Sequence, residues 1–250
     1  MISRKQREIS QRHELILDKS RQLFIEHGYH SVTMDMIAKE IEYSKGTIYQ
    51  HFNCKECIIT TLCIRFCTLI HKLISCVGEQ SQLNPRLQML LIQEAFIMLQ
   101  ETCQDDVQIK NLSDSQPFCT KVSDELSCKS GEIDMQTFGV VVNIVNQAIA
   151  SNQLKLDAKT KVEDVAIGCW AMAHGTYMLT SSHGCSSTFK LGDPKDLLRM
   201  NSDLYLDGVG WKKYNLTEKR MEFISEFSKK FKVIINEYLP SKGTEQEQPR

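Results

Sequence analysis

Between Thr33 and Glu56 two very short helical patterns follow one another across a single tight turn. Thr33 is a good N-cap, and Met34, Ile37, Ala38 and Ile41 then repeat at three- and four-residue spacing, which buries one face. After Glu42 and Tyr43, Ser44 supplies a second N-cap, and Ile48 and Phe52, four apart, give the next helix its apolar stripe. Lys45, Thr47, Tyr49, Gln50 and His51 are left facing out. A helix of about seven or eight residues is too short to stand alone. The preceding helix must hold it, with Leu15, Ile16, Leu23 and Phe24 as the expected packing partners.

A held short helix with a polar outer face suits the DNA major groove, where side chains can distinguish base pairs. Lys45 can donate to guanine, Gln50 can pair with adenine through both amide groups, and the Thr47 methyl can touch thymine. His51 suits either a base edge or the backbone. A generic helical hairpin with a solvated face has the same periodicity, so periodicity alone leaves both readings open. Gly46 costs roughly 1 kcal/mol in helix propensity relative to Ala. Close approach of the backbone, to DNA or to the first helix, is the expected compensation.

Thr33, Ile37-Ala38, Ser44-Lys45-Gly46-Thr47-Ile48-Tyr49, Phe52 and Lys55-Glu56, preceded by Phe24, Gly28 and Tyr29, together resemble the TetR family of bacterial one-component transcriptional regulators. The likeness covers roughly the first quarter of the chain, and beyond it only Trp170-Ala-Met-Ala-His174-Gly175 looks like a family feature. It implies a DNA-binding segment running from Thr33 through Ser44 and Gly46 to Lys55. Thr33 would add a phosphate contact at a helix start, and Tyr49 and Lys55 would touch the DNA backbone. It also implies a homodimer whose last two long helices form a four-helix bundle with their mates, a palindromic operator of double-stranded DNA, and repression relieved by a small-molecule effector. One departure is that the family often has Gly where this chain has Glu42. A left-handed residue there would cost about 1 kcal/mol, so a different turn geometry is expected.

The fold class expected is all-α, with no period-two strand run and no internal repeat. Residues 1–53 read as a three-helix helix-turn-helix domain, residues 54–239 as a larger helical ligand-binding and dimerisation domain, and 240–250 as a polar tail. Arg4, Lys5, Arg7 and Arg12 form a basic N-terminal arm that either enters a minor groove or is a solvated tail. The pattern predicts helices over 54–77, 85–104, 116–127, 135–152 after a break at Gly131, 161–182 and 217–239. Ser181 to Ser187 and Gly192 flank a turn region, with a further helix expected from Asp193 to Leu206. His174, Trp170, Tyr177 and Met178 are candidate lining for an apolar ligand cavity, with Phe96, Met98 and Phe138 as opposite walls. Taken singly, each of these residues suits ordinary core or a dimer interface better than a pocket wall.

A formal charge of -1 and a 42% hydrophobic content describe a chain able to bury a substantial core. No apolar run is expected to cross a bilayer and no signal peptide is legible, which makes the cytoplasm the expected compartment. Ten scattered cysteines without an export signal read as reduced thiols. Cys54-Lys-Glu-Cys57 is the chemically provocative group, because a CxxC at a helix start can act as a redox pair. No thioredoxin-like strand pattern surrounds it. A zinc site recruiting Cys63 and Cys67 is disfavoured, since these project from another helix face. No catalytic constellation or phosphate-binding Gly-rich loop is present, so no enzyme activity, cofactor or metal is expected. Two rivals stand beside the repressor: a DNA-bound adaptor governed by a protein partner, and a thiol-based redox-responsive protein using Cys54 and Cys57.

Overall fold

The computed structural model describes residues 3–115, 121–181, 190–213 and 217–239. Part of the expected helix over 116–127, most of the turn region after Ser181 and the tail from 240 lie outside the described residues. The helices are α1 (Arg4–Ser31), α2 (Met34–Glu40), α3 (Lys45–Tyr49), α4 (Lys55–Gly78), α5 (Pro85–Thr102), α6 (Gln104–Ser115), α7 (Asp124–Ala150), α8 (Val162–Ser181), α9 (Pro194–Gly208) and α10 (Thr217–Tyr238). Among the described residues the only β pairing is an isolated bridge between Leu154 and Trp211. The chain divides into two compact units, Met1–Thr68 with Glu101–Met135, and Leu69–Gln100 with Gln136–Arg250.

The first unit is built on α1, whose Ile16, Leu17, Leu23 and Phe24 are buried with Ile37 and Ile41 of the α2 region, Ile48, Phe52, and Ile58 and Leu62 of α4. Leu15, an expected partner, is instead 37% exposed, and Leu17 is fully buried. A helical face repeats at three and four residues, so Ile16, Leu17, Ser20, Leu23 and Phe24 share it while Leu15 turns away. The basic N-terminus is not an arm. Ser3 and Gln6 form a reciprocal capping box that starts α1 at once, and Arg4 pairs with Glu8 one turn on. Arg4, Lys5 and Arg7 therefore ride on helix.

The chain leaves α1 through Gly28, at φ 74 and ψ 157 inside the α1 span. Three other sequence expectations change. Helix α6 was not expected, and it docks through buried Ile109 and through Asp106, whose carboxylate accepts from Arg21 at 3.1 Å. The helix expected to begin at Met135 starts at Asp124 and runs through Gly131, where an added Cβ would meet nothing within 4 Å. Glycine without a φ demand is a weak breaker when both flanks are helical. Helix α4 is by length and composition long and apolar enough to cross a membrane, contrary to expectation. Its apolar residues are largely spent inside the protein, for Ile58, Ile59, Leu69, Leu73 and Val77 are almost fully buried.

In the second unit Met89, Leu90, Ile144, Val145, Val165, Leu206 and Trp211 form the core. Buried Arg86 at the start of α5 donates to Asp207 at 2.8 Å, Asp203 at 3.2 Å and the Trp211 carbonyl at 3.3 Å. Arg199 of α9 grips Glu94 of α5 with two bonds of 2.8 and 2.7 Å. The Tyr205 hydroxyl of α9 donates to the Asp164 and Val165 carbonyls of α8 at 3.3 and 3.2 Å. An added Cβ at Gly168 would collide with that hydroxyl.

Because Gly28 occupies backbone space that only glycine enters freely, Gly28→Ala should lower stability by about 1–3 kcal/mol. The new methyl has nothing within 4 Å, so the loss is pure backbone strain. Urea unfolding with an unchanged m-value checks it.

Candidate nucleic-acid interface

Both short helices are capped as the sequence dictates. Thr33 Oγ1 accepts from the Met36 amide at 3.2 Å and Ser44 Oγ accepts from the Thr47 amide at 3.2 Å. The Ser44 and Thr47 hydroxyls also bond each other at 2.8 Å. Between the helices, Glu42 takes the left-handed conformation that its side chain was expected to avoid, with φ 57. The reason is carbonyl satisfaction. The Tyr43 amide donates to Ala38 O at 3.0 Å and the Glu42 amide to Lys39 O at 3.2 Å, the paired bonds of a Schellman end, which require a left-handed residue at that position.

The outward surface of α3 carries Lys45, Gly46, Tyr49 and Gln50. Tyr49 is 44% exposed, and an added Cβ at Gly46 would meet only Ser44 Oγ at 3.8 Å. Close approach to the first helix is therefore not what Gly46 serves. Lys45 Nζ lies 2.7 Å from Asp35 Oδ1, and that hydrogen bond pushes the ammonium pKa up. Thr47 is half-buried. His51, also half-buried, lies 5.8 Å from the His13 ring, which stacks on Phe52 at 4.6 Å. Burial lowers the pKa of both histidines. Arg12 sits over the Tyr43 ring at 5.2 Å. Asp35, His13 and the Arg12–Tyr43 contact were not read from the sequence. Only the i, i+10 proximity of Asp35 and Lys45 across a turn could have signalled the first.

Lys55 is turned inward. Its ammonium donates to Tyr29 O at 2.6 Å and Val32 O at 2.8 Å and lies 4.2 Å from the Tyr29 ring centroid. Burial lowers its pKa. Beside it, Glu56 is 5% exposed and accepts from the Tyr29 hydroxyl at 2.6 Å and Lys121 Nζ at 3.0 Å. Burial alone would push this carboxyl up, but the bonds from Tyr29 and Lys121 prevail and bring it down to about 2. Cys54 and Cys57 place their sulfurs 3.2 Å apart at the same helix start.

The candidate ligand residues separate. Phe96 and Tyr177 meet edge to face at 5.6 Å beside Ile97, Ala173 and Leu198. His174, Met98 and Phe138 are half-buried. Trp170 and Met178 are 49% and 55% exposed on the outer side of α8.

Residues 16–60 match the family profile described as bacterial regulatory proteins, tetR family. The HTH-type transcriptional regulator UidR of Escherichia coli is 35% identical over 65 residues, which cover 26% of this chain and 33% of UidR. The chain thus spans about a third of the length of the curated relatives it matches. Among solved structures, a bacterial regulatory protein in the tetR family from Rhodococcus RHA1 superposes with TM-score 0.61 at 16% identity, covering 80% of this chain and 98% of that one. The SmeT–triclosan complex gives TM-score 0.60 at 20% identity, covering 81% of this chain and 92% of SmeT. At such identities the structural likeness establishes the fold, all-helical with an N-terminal helix-turn-helix.

Two outcomes follow from this geometry. Replacing Glu42 by Gly should raise stability by about 1 kcal/mol, because the left-handed residue loses its Cβ penalty. The depressed Glu56 pKa contributes stability above its ordinary value of 4.5 that disappears as pH falls toward about 2. Up to about 3 kcal/mol is at stake. In acid titration of stability Glu56→Gln should flatten that limb.

Proposed function

We propose, from the match of residues 16–60 to the TetR-family profile, that this protein is a sequence-specific DNA-binding transcriptional regulator of the cytoplasm, a repressor that leaves a palindromic operator when a small molecule binds. It is a binding protein and not an enzyme. The observation that carries the reading is the outward face of α3, where Lys45, Tyr49 and Gln50 flank a glycine with open space before it. Backbone there can approach a phosphate or base edge without a methyl between. Thr33, Ser44, Thr47 and His51 hold the helix ends and the rear of this face. Lys55 acts by fixing the end of α1, with any phosphate contact coming from its remaining donor. On binding DNA, Lys45 exchanges Asp35 for a nucleotide partner.

A homodimer supplies the second α3. The apolar surface that supports it lies on α8 and α9, where Ile167, Trp170, Met178, Met200 and Leu204 are 47%, 49%, 55%, 52% and 62% exposed. The last helix, α10, turns Glu222, Glu226, Lys229, Lys232 and Glu237 outward beside a single exposed large hydrophobic, Val233, among its described residues, so we assign the dimer face to α8 and α9 in place of the expected α8 and α10. Trp170 and Met178 then belong to the interface. Phe96 and Tyr177, with His174 nearby on α8, are the effector candidates. A protein of like fold is solved with triclosan bound, which supports a small, largely apolar ligand. The effector must bind the DNA-incompetent state more tightly for a switch to operate.

Selection of the purified protein on random duplex DNA at fixed salt should return a palindrome with half-sites about 34–36 Å apart or a wider variant. A Lys45→Ala/Tyr49→Ala variant should lose it. Gly46→Ala should weaken DNA binding at least tenfold while leaving folding stability equal or about 1 kcal/mol higher, and binding lost only in step with folding would contradict the role given to Gly46. In light scattering, Trp170→Glu/Leu204→Glu should be monomeric. A wild type that is itself monomeric would hand the apolar face to a protein partner.

A further inference from the structure

Cys54 immediately precedes α4 and Cys57 lies in its first turn, so the two cysteines occupy the cap and third positions of one helix start. Their sulfurs are 3.2 Å apart, within hydrogen-bonding reach of each other. Cys54 is half-buried and reachable, while Cys57 is buried against the core of the first unit. The Cys54 thiol also donates to Lys121 O at 3.4 Å. An outer thiol with an inner thiol directly behind it makes an attacking and resolving pair.

We propose that Cys54 and Cys57 form a thiol–disulfide exchange site for low-molecular-weight disulfides, with Cys54 the attacking and Cys57 the resolving sulfur. The Cys54 thiolate attacks one sulfur of R–S–S–R, the reagent S–S bond breaks, and one R–S⁻ leaves to take up the proton that Cys54 released. Cys57, deprotonated in turn, attacks the Cys54 sulfur and expels the second thiol. Two protein thiols lose two electrons and two protons, and the reagent becomes two R–SH. Burial lifts the Cys54 thiol to about 11, so the first step is slow at neutral pH. The bridge removes the thiol donor from Lys121 O, at the helix start that also carries Lys55 and Glu56.

This chemistry is read without DNA, so its failure and that of the regulator reading are separable. Full-length protein is equilibrated in glutathione buffers of graded composition, alkylated and mapped by peptide mass spectrometry, with exposed Cys128 as internal control. The expected result is a 54–57 peptide that becomes two hydrogens lighter, in a transition following the square of reduced glutathione over oxidised glutathione. Cys128, with a single-thiol response, should follow the simple ratio. Cys57→Ser, or Cys57→Ala if the serine variant does not fold, should halt at a glutathione adduct on Cys54. Both cysteines still reduced where Cys128 is glutathionylated, or wild type halting at a mixed disulfide, would overturn the proposal.

Discussion

Two adjacent residues of opposite charge at the start of α4 hold together the helix-turn-helix head, the stretch from α1 to the start of α4. Lys55 donates to the last carbonyls of the α1 segment, Tyr29 O and Val32 O, and Glu56 accepts from the Tyr29 hydroxyl. The requirement comes from length. Helices α2 and α3 have 7 and 5 residues, far too few to persist unaided, so their shape is imposed by α1 behind and α4 beyond. The chain leaves α1 by way of Tyr29 and Val32, both buried, and buried carbonyls left unpaired are costly. One lysine ammonium satisfies both.

In the head, what could be read from residues was local. Caps at Thr33 and Ser44 and the buried sets Met34, Ile37, Ala38, Ile41 and Ile48, Phe52 follow from spacing. Three things did not follow. Glu42 is left-handed because the Schellman bonds outweigh its own preference. Leu15 and Leu17 are both apolar, and which one faces the core depends on the exact helical phase. Lys55 was legible as a lysine at a helix start, but its carbonyl partners lie 26 and 23 residues away, beyond any periodicity argument.

The second unit was less legible for a different reason. Helix α8 is apolar nearly all round, from Val165 through Ile167, Trp170, Ala173, Tyr177 and Met178, and such a helix gives no phase to say which side is core. Tertiary packing decides: Tyr205, Leu198 and Phe96 cover one side, leaving Trp170 and Met178 on the other. Residues that looked like one pocket thereby split into an inner aromatic pair and an outer apolar stripe. Glu94 with Arg199 and Arg86 with Asp203 and Asp207 fix α9 against α5, contacts between residues more than a hundred positions apart.

The most direct test of the held-head account is amide hydrogen exchange across residues 33–52 in Lys55→Met, read beside its DNA affinity. The account predicts that protection in α2 and α3 falls and that affinity falls with it, because the lysine acts by fixing the end of α1. Wild-type protection with lost affinity would contradict it and make Lys55 a direct phosphate ligand.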